Sequence, residues 1–236
     1  MSREWQEVYE KEQIEEWLKQ FENPAEFQLD LKNILNEYSN SHPKVIEIGC
    51  GIGITSLILS DKFERTLLDN NPKVIELAKE IAVIKNKNCN FILADMFKLP
   101  FGNNEFDLVF NSGVIEHFNF LDRVRLLKEY ARILNKEGIM IIAFPNHYSP
   151  PYRTAYVVKK KLLAGKDWPY PEEYKLYDLK AEIKAAGLKL LERRVVAKAM
   201  TFEFVEQWGW AKKLFKWWNY VKLIEGYLTV LKISKL

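Results

Sequence analysis

Apolar positions along the chain alternate between two periods. Short apolar runs with a strand's character fall near 44–49, 65–69, 90–94, 106–110 and 138–144. Between them, helical spacing of apolar residues predicts helices near 53–61, 72–86 and 121–134. Strands alternating with helices in this way imply a mostly parallel sheet covered on both faces. Later come a helix near 175–186, stopped by Gly187, and strands near 188–196 and 226–233, giving seven strands in all. At the other end, Trp5, Val8, Tyr9, Trp17, Leu18 and Phe21 suggest a helix over 4–21. A second helix follows Pro24 through Phe27, Leu31, Ile34, Leu35 and Tyr38. We therefore expect one α/β domain over 1–236: N-terminal helices (1–42), a core (43–146), and a cap with the end of the sheet (147–236). The cap begins with an insertion near 146–174 that contains Pro150, Pro151, Pro169 and Pro171.

The first strand runs into Glu47-Ile-Gly49-Cys50-Gly51-Ile-Gly53. Glycine permits φ > 0 and lets a ligand approach the main chain with no Cβ in between. Asp69 lies 20 residues past Gly49 at the end of the second strand, and Asp95 ends the third. A glycine turn followed by strand-end carboxylates points to an adenosine-containing cofactor. The dinucleotide fingerprint needs a third small residue where this chain has Ile54, or Ser56 in the other frame.

The spacing Glu47-x-Gly49-x-Gly51-x-Gly53, with Asp69, Asp95 and the segment Phe106–His117, resembles the class I S-adenosylmethionine-dependent methyltransferases over residues 43–146. The resemblance implies a Rossmann-like fold and S-adenosyl-L-methionine as cofactor. It places Asp69 at the ribose hydroxyls, Asn70 beside the adenine, Asp95 at the adenine amino group and Met96 against the ring. Asn111, Ser112 and Gly113 would line the methionine portion, with Gly113 keeping space open near the sulfonium. Glu47 is either a buried structural partner or a neighbour of the cofactor's amino-acid end, and Cys50 lies within the glycine turn.

Methyl transfer needs few protein groups, because the sulfonium is already an excellent leaving group. The candidates are Glu116 and His117, which follow the fourth strand. His117 either moves a proton or braces the following loop, and Glu116 either orients it or binds a substrate cation. His147 should face the same rim, whereas His42 lies on the opposite side. Motifs of several methyltransferase classes are missing: the Asn/Asp-Pro-Pro-aromatic segment is Asn111-Ser-Gly-Val, there is no Pro-Cys pair, and Glu116 has no hairpin partner. This favours a small-molecule acceptor, disfavours RNA and gives no reason to expect DNA. The alternatives are a non-catalytic cofactor-binding or scaffold protein, an RNA methyltransferase and a nucleotide-linked oxidoreductase.

Composition changes the picture in two places. Cys50 and Cys89 form neither a metal-ligand nor a disulfide pattern, so no metal is expected and a reducing cytoplasm fits. Charge is uneven: residues 1–150 hold 17 basic and 23 acidic residues, while residues 151–236 hold 18 and 9. The basic half includes Phe202–Ile224, where Trp208, Trp210, Phe215, Trp217, Trp218 and Tyr220 interleave with Lys212, Lys213, Lys216 and Lys222. On a helix, Trp210, Leu214, Trp217 and Val221 share a stripe. Three readings stand: a helix packed on the sheet, an aromatic lid over an apolar substrate, or an interfacial helix contacting acidic lipid over 202–224. Trp5 and Tyr9 are further lid candidates.

Overall fold

The structure, a computed structural model, describes residues 14–38, 43–162, 171–206, 208–220 and 225–236, with the backbone alone at 161, 211–212 and 218–220. Trp5, Val8, Tyr9, His42 and Val221–Ile224 lie outside the described residues, as do the side chains of Lys212, Trp218 and Tyr220. Seven strands form one sheet: β1 (Lys44–Ile48), β2 (Glu64–Asp69), β3 (Asn90–Leu93), β4 (Phe106–Ser112), β5 (Leu134–Pro145), β6 (Leu188–Val196) and β7 (Leu228–Lys235). Their order is β3-β2-β1-β4-β5-β7-β6, with β7 antiparallel to both of its neighbours and the other pairs parallel. The seven-stranded, mostly parallel Rossmann-like expectation holds.

Side chains alternate across this sheet, which explains why both faces need cover. Val45, Leu108, Phe110, Ile141 and Ala143 face α2 (Glu26–Asn36), packing against Leu31, Ile34 and Leu35. Ile46, Val109, Met140 and Ile142 face the other way, against Leu126, Tyr130 and Ile133 of α5 (Phe120–Ile133) and Ile183 of α7 (Lys180–Ala185). Before α2 lies α1 (Ile14–Glu22). Between β2 and β3 lies α4 (Pro72–Ile84), which starts where the Asn71 side chain accepts the Lys73 N–H and Pro72 fills the first turn.

Several boundaries differ from the sequence pattern. The helix after the glycine turn is a single turn, α3 (Ile54–Leu57), because the chain must reverse at once to enter β2 from Phe63. Only Lys180–Ala185 of the 175–186 segment is helical; its end at Gly187, with φ +72°, is as expected. β5 starts directly at the end of α5. Leu134 pairs with Phe106, and the register then jumps to Ile139 opposite Leu108, leaving Asn135–Gly138 as an irregularity within the strand.

Outside the sheet, α6 (Pro150–Tyr156), the 3-10 segment Met200–Val205 and α8 (Gly209–Tyr220) build a separate apolar cluster from Tyr152, Ala155, Tyr156, Val205 and Phe215. The N-terminal helices hold this cap in place. Glu26 of α2 accepts the backbone N–H groups of Ala199 and Met200, and Asp30 accepts that of Ala197.

Candidate active site

Strand order reverses at β1, which lies between β2 and β4; in an open α/β sheet this is where a crevice forms beyond the carboxyl ends of the strands. A cavity of about 850 Å³ opens there. Its floor is the glycine turn. Gly49, Gly51 and Gly53 all have positive φ, at +70°, +52° and +74°. A Cβ at Gly53 would run into Leu67, and one at Gly49 would lie 2.8 Å from Val114 Cγ2. Close packing therefore requires glycine at both positions, beyond any ligand's need.

The turn is fixed to β2 by Asp69. The Gly51 N–H donates to Asp69 Oδ2 at 3.1 Å, and the Asn71 N–H donates to Oδ1 at 3.0 Å. Burial raises the Asp69 carboxyl above its ordinary value, while these backbone N–H groups oppose the shift. Glu47 accepts the Ser56 hydroxyl at 2.6 Å. Burial pushes Glu47 up to about 8, against the lowering effect of Ser56, with the Asp69 charge adding to the rise. Cys50 is buried, its Sγ donates to the Gly51 carbonyl, and burial lifts its thiol well above the ordinary range, which leaves it inert.

Asn70, Asp95, Met96, Ser112, Gly113, Glu116 and His117 also line the cavity. Asp95 Oδ1 accepts the Phe97 N–H at 2.9 Å, which shapes the turn beneath Met96. Thus every expected site residue but one borders one space. The exception is Asn111, whose side chain is fully buried and donates to Tyr130 Oη at 3.2 Å. Strand alternation turns it away from the cavity, and it acts at one remove: the Tyr130 hydroxyl reaches Met96 Sδ at 4.0 Å.

At the far end, His117 and Glu116 sit on a short 3-10 turn, Ile115–His117. His117 Nδ1 is 2.9 Å from the Glu172 carbonyl and its Nε2 is 3.9 Å from Glu116 Oε1. Arg123 braces the loop that follows. Its Nη1 donates to the Phe118 carbonyl at 2.6 Å, while Nε and Nη2 form a buried pair with Glu182 of α7. His147 does not reach the cavity. It is buried behind Glu173, with Nε2 2.9 Å from Glu173 Oε2.

Sequence reasoning missed much of this end. Glu172, Glu173, Tyr152, Met200, Phe204, Tyr227 and, from α1, Trp17 complete the wall. Apart from the prolines of the insertion, which mark it as irregular, and the aromatic-rich 202–224 segment that holds Phe204, no local pattern marks them. Phe204 lines the cavity from the 202–224 segment. The stripe on α8 does not pack on the sheet: Trp210, Leu214 and Trp217 are 72%, 39% and 63% exposed, and Phe215 is the buried residue.

Six carboxylates line the cavity (Glu47, Asp69, Asp95, Glu116, Glu172 and Glu173) with neither lysine nor arginine among the described lining residues. Such a wall suits a cationic ligand rich in hydroxyl and amino donors and repels a pyrophosphate, which needs cationic or backbone N–H partners. Residues 46–142 match the family model described as a methyltransferase domain. The chain is 32% identical over 99 residues to a probable tRNA methyltransferase 9B of Mus musculus, covering 42% of this chain and 21% of that protein. It is 28% identical over 159 residues to a ubiquinone biosynthesis O-methyltransferase of Pelagibacter ubique, covering 62% of this chain and 65% of that protein. The chain therefore spans less than two thirds of either relative. A solved S-adenosylmethionine-dependent methyltransferase from Aquifex aeolicus shares the fold, with TM-score 0.59 over 94% of this chain and 98% of that one, at 14% identity. Over residues 46–142 the chain thus matches the methyltransferase domain family, and its fold is that of an S-adenosylmethionine-dependent methyltransferase, which agrees with S-adenosyl-L-methionine as the cofactor.

Proposed function

We propose that the protein transfers a methyl group from S-adenosylmethionine to an oxygen, nitrogen or carbon of a small, partly apolar molecule. The observation that carries this reading is the continuity of one cavity. It runs from the glycine turn, Asp69 and Asp95 past Gly113 to a chamber walled by Glu116, His117, Tyr152 and Phe204. Glu47, Asp69 and Asp95 would receive the cofactor's amino and hydroxyl groups, while Met96 would border its adenine. The bound cofactor supplies an activated methyl group. The chain itself fixes the direction of approach and keeps water out, with the cap (α6 and the 200–205 segment) closing the chamber. A Cβ at Gly113 would meet Glu116 Oε1 at an ordinary contact distance of 3.8 Å, so the φ of +72° is what favours glycine there.

The test is incubation with S-adenosylmethionine labelled in the methyl group, together with fractionated cell extract. Label in a small organic product, abolished by Asp69→Ala, supports the reading. Label in RNA would replace it with RNA methylation, and cofactor binding without transfer to any fraction would favour a scaffold.

A second reading concerns where the enzyme works, and the outward-facing Trp210–Leu214–Trp217 ridge favours it. With Lys213 and Lys216 exposed beside it, α8 has an apolar face and a cationic one, as interfacial helices do. We infer peripheral contact with acidic lipid; no described helix is long and apolar enough to cross a membrane. Co-sedimentation with phosphatidylglycerol vesicles but not with phosphatidylcholine vesicles is expected, and equal recovery with both would contradict it.

A further inference from the structure

The acceptor end of the cavity holds more carboxyl groups than the cofactor explains. Glu47, Asp69 and Asp95 line the cavity with the glycine turn; Glu116, Glu172 and Glu173 line it with His117, which lies beside Glu116 and the Glu172 carbonyl. Glu116 is only 2% exposed, lines the cavity, and its Oε2 has no hydrogen-bond partner among the described residues. A buried carboxyl oxygen without a donor is costly, and a catalytic role or a bound ion is among the reasons native structures keep one.

Its neighbour Glu173 is fixed in place. Arg153 Nη1 lies 3.2 Å from His147 Nδ1 and can only donate, so Nδ1 accepts and the ring hydrogen sits on Nε2. That Nε2–H donates to Glu173 Oε2 at 2.9 Å, and the Tyr152 hydroxyl donates to the same oxygen at 2.7 Å. These donors of the wall are thus committed to Glu173, and Glu116 Oε2 is left without one. Beside them, Tyr152, Phe204 and Tyr227 form an aromatic corner on the cavity wall, with ring centroids 4.9 Å (Tyr152–Phe204), 5.1 Å (Tyr152–Tyr227) and 4.9 Å (Phe204–Tyr227) apart. Carboxylates next to aromatic faces recognise organic cations, through charge on one side and the ring quadrupole on the other. A metal ion fits less well, since the described residues contain no cluster of three or more side chains placed to hold one.

We propose that the molecule receiving the methyl group carries an ammonium group, held between the Glu116 carboxylate and the Tyr152–Phe204–Tyr227 corner. This rests on the methyltransferase reading above and deepens it. Without the cation, burial and the Glu173 charge hold the Glu116 carboxyl well above the ordinary range, which favours its protonated form. The groups facing it are Glu173, Glu172 and His117, whose Nε2 is 3.9 Å away. An ammonium group arriving beside Glu116 favours the ionised carboxylate, so binding expels a proton.

The experiment is calorimetric titration of tryptamine and benzylamine, against their neutral counterparts tryptophol and benzyl alcohol, into protein saturated with S-adenosylhomocysteine. Buffers of two different ionisation enthalpies count the protons released. We expect the amines to bind at least about tenfold more tightly than the alcohols, with net proton release, and Glu116→Gln to remove both the preference and the release. Phe204→Leu should weaken the amines while sparing the alcohols more. Alcohols that match the amines, no binding by either class, or a preference that survives in Glu116→Gln would each overturn the proposal. Proton release in the wild type stands as a test even if the variant does not fold. Failure of S-adenosylhomocysteine to bind in the first step would instead remove the methyltransferase reading itself.

Discussion

The two ends of the cavity hold their carboxylates in different ways. At the cofactor end the partners are mostly main-chain N–H groups. Asp69 takes the N–H groups of Gly51 and Asn71, Asp95 takes that of Phe97, and Glu47 takes the hydroxyl of Ser56. At the acceptor end, Glu173 depends on His147 and Tyr152, 26 and 21 residues away, and Glu116 keeps a bare oxygen. A site built from strand-end turns comes with the fold and accepts one ligand across a family. A site built from side chains on a cap is specified separately, so substrates can differ while the cofactor stays the same.

Breaking one end should leave the other standing, and the effects can be ranked. The largest is expected from Arg123→Met, which strands Glu182 in a buried environment and frees the Phe118 carbonyl. It should cost about 3–5 kcal/mol in denaturant unfolding and loosen the acceptor wall. Gly53→Ala comes next. Positive φ and the contact with Leu67 should together cost about 1–3 kcal/mol and weaken cofactor binding, measured by unfolding and titration side by side.

A pH series sharpens the contrast further. The Glu47 carboxyl stands at about 8 in the folded protein against an ordinary value of 4.5, so the folded state binds more protons than the unfolded one between these values. Stability of the ligand-free protein should therefore fall as pH rises through this window and level off above about 8, with Glu116 adding a slope of the same sign. In Glu47→Gln the slope should shrink, and a melting temperature that rises with pH in both proteins would contradict the protonation scheme. The smallest effect belongs to the outer face of the cap: Trp210→Ala and Trp217→Ala should each change unfolding free energy by no more than about 0.5 kcal/mol while lowering vesicle recovery.

This contrast also explains what could be read from the sequence. The strand and helix periods and the glycine turn marked the sheet and nearly all of the residues that border the cavity around that turn, because backbone geometry at strand ends brings them together. Asn111 marks the limit. Its place in the motif suggested the cavity, but its side chain points to Tyr130 through the two-residue alternation of β4. Glu173 was invisible for a different reason: its role depends on α6 bringing His147 and Tyr152 together, which no local spacing encodes. On α8, helical spacing identified the Trp210–Leu214–Trp217 stripe correctly but could not tell an inward stripe from an outward one. The cap buries Phe215 instead.

The central claim is that the glycine turn and Asp69 bind the cofactor of a methyltransferase, and calorimetric titration of S-adenosylhomocysteine into wild type and Asp69→Ala, with NAD as control, tests it most directly. The account predicts binding by the wild type, a loss of affinity of about 100-fold or more in Asp69→Ala, and no measurable binding of NAD. Preference for NAD, or a wild type that does not bind S-adenosylhomocysteine, would contradict it.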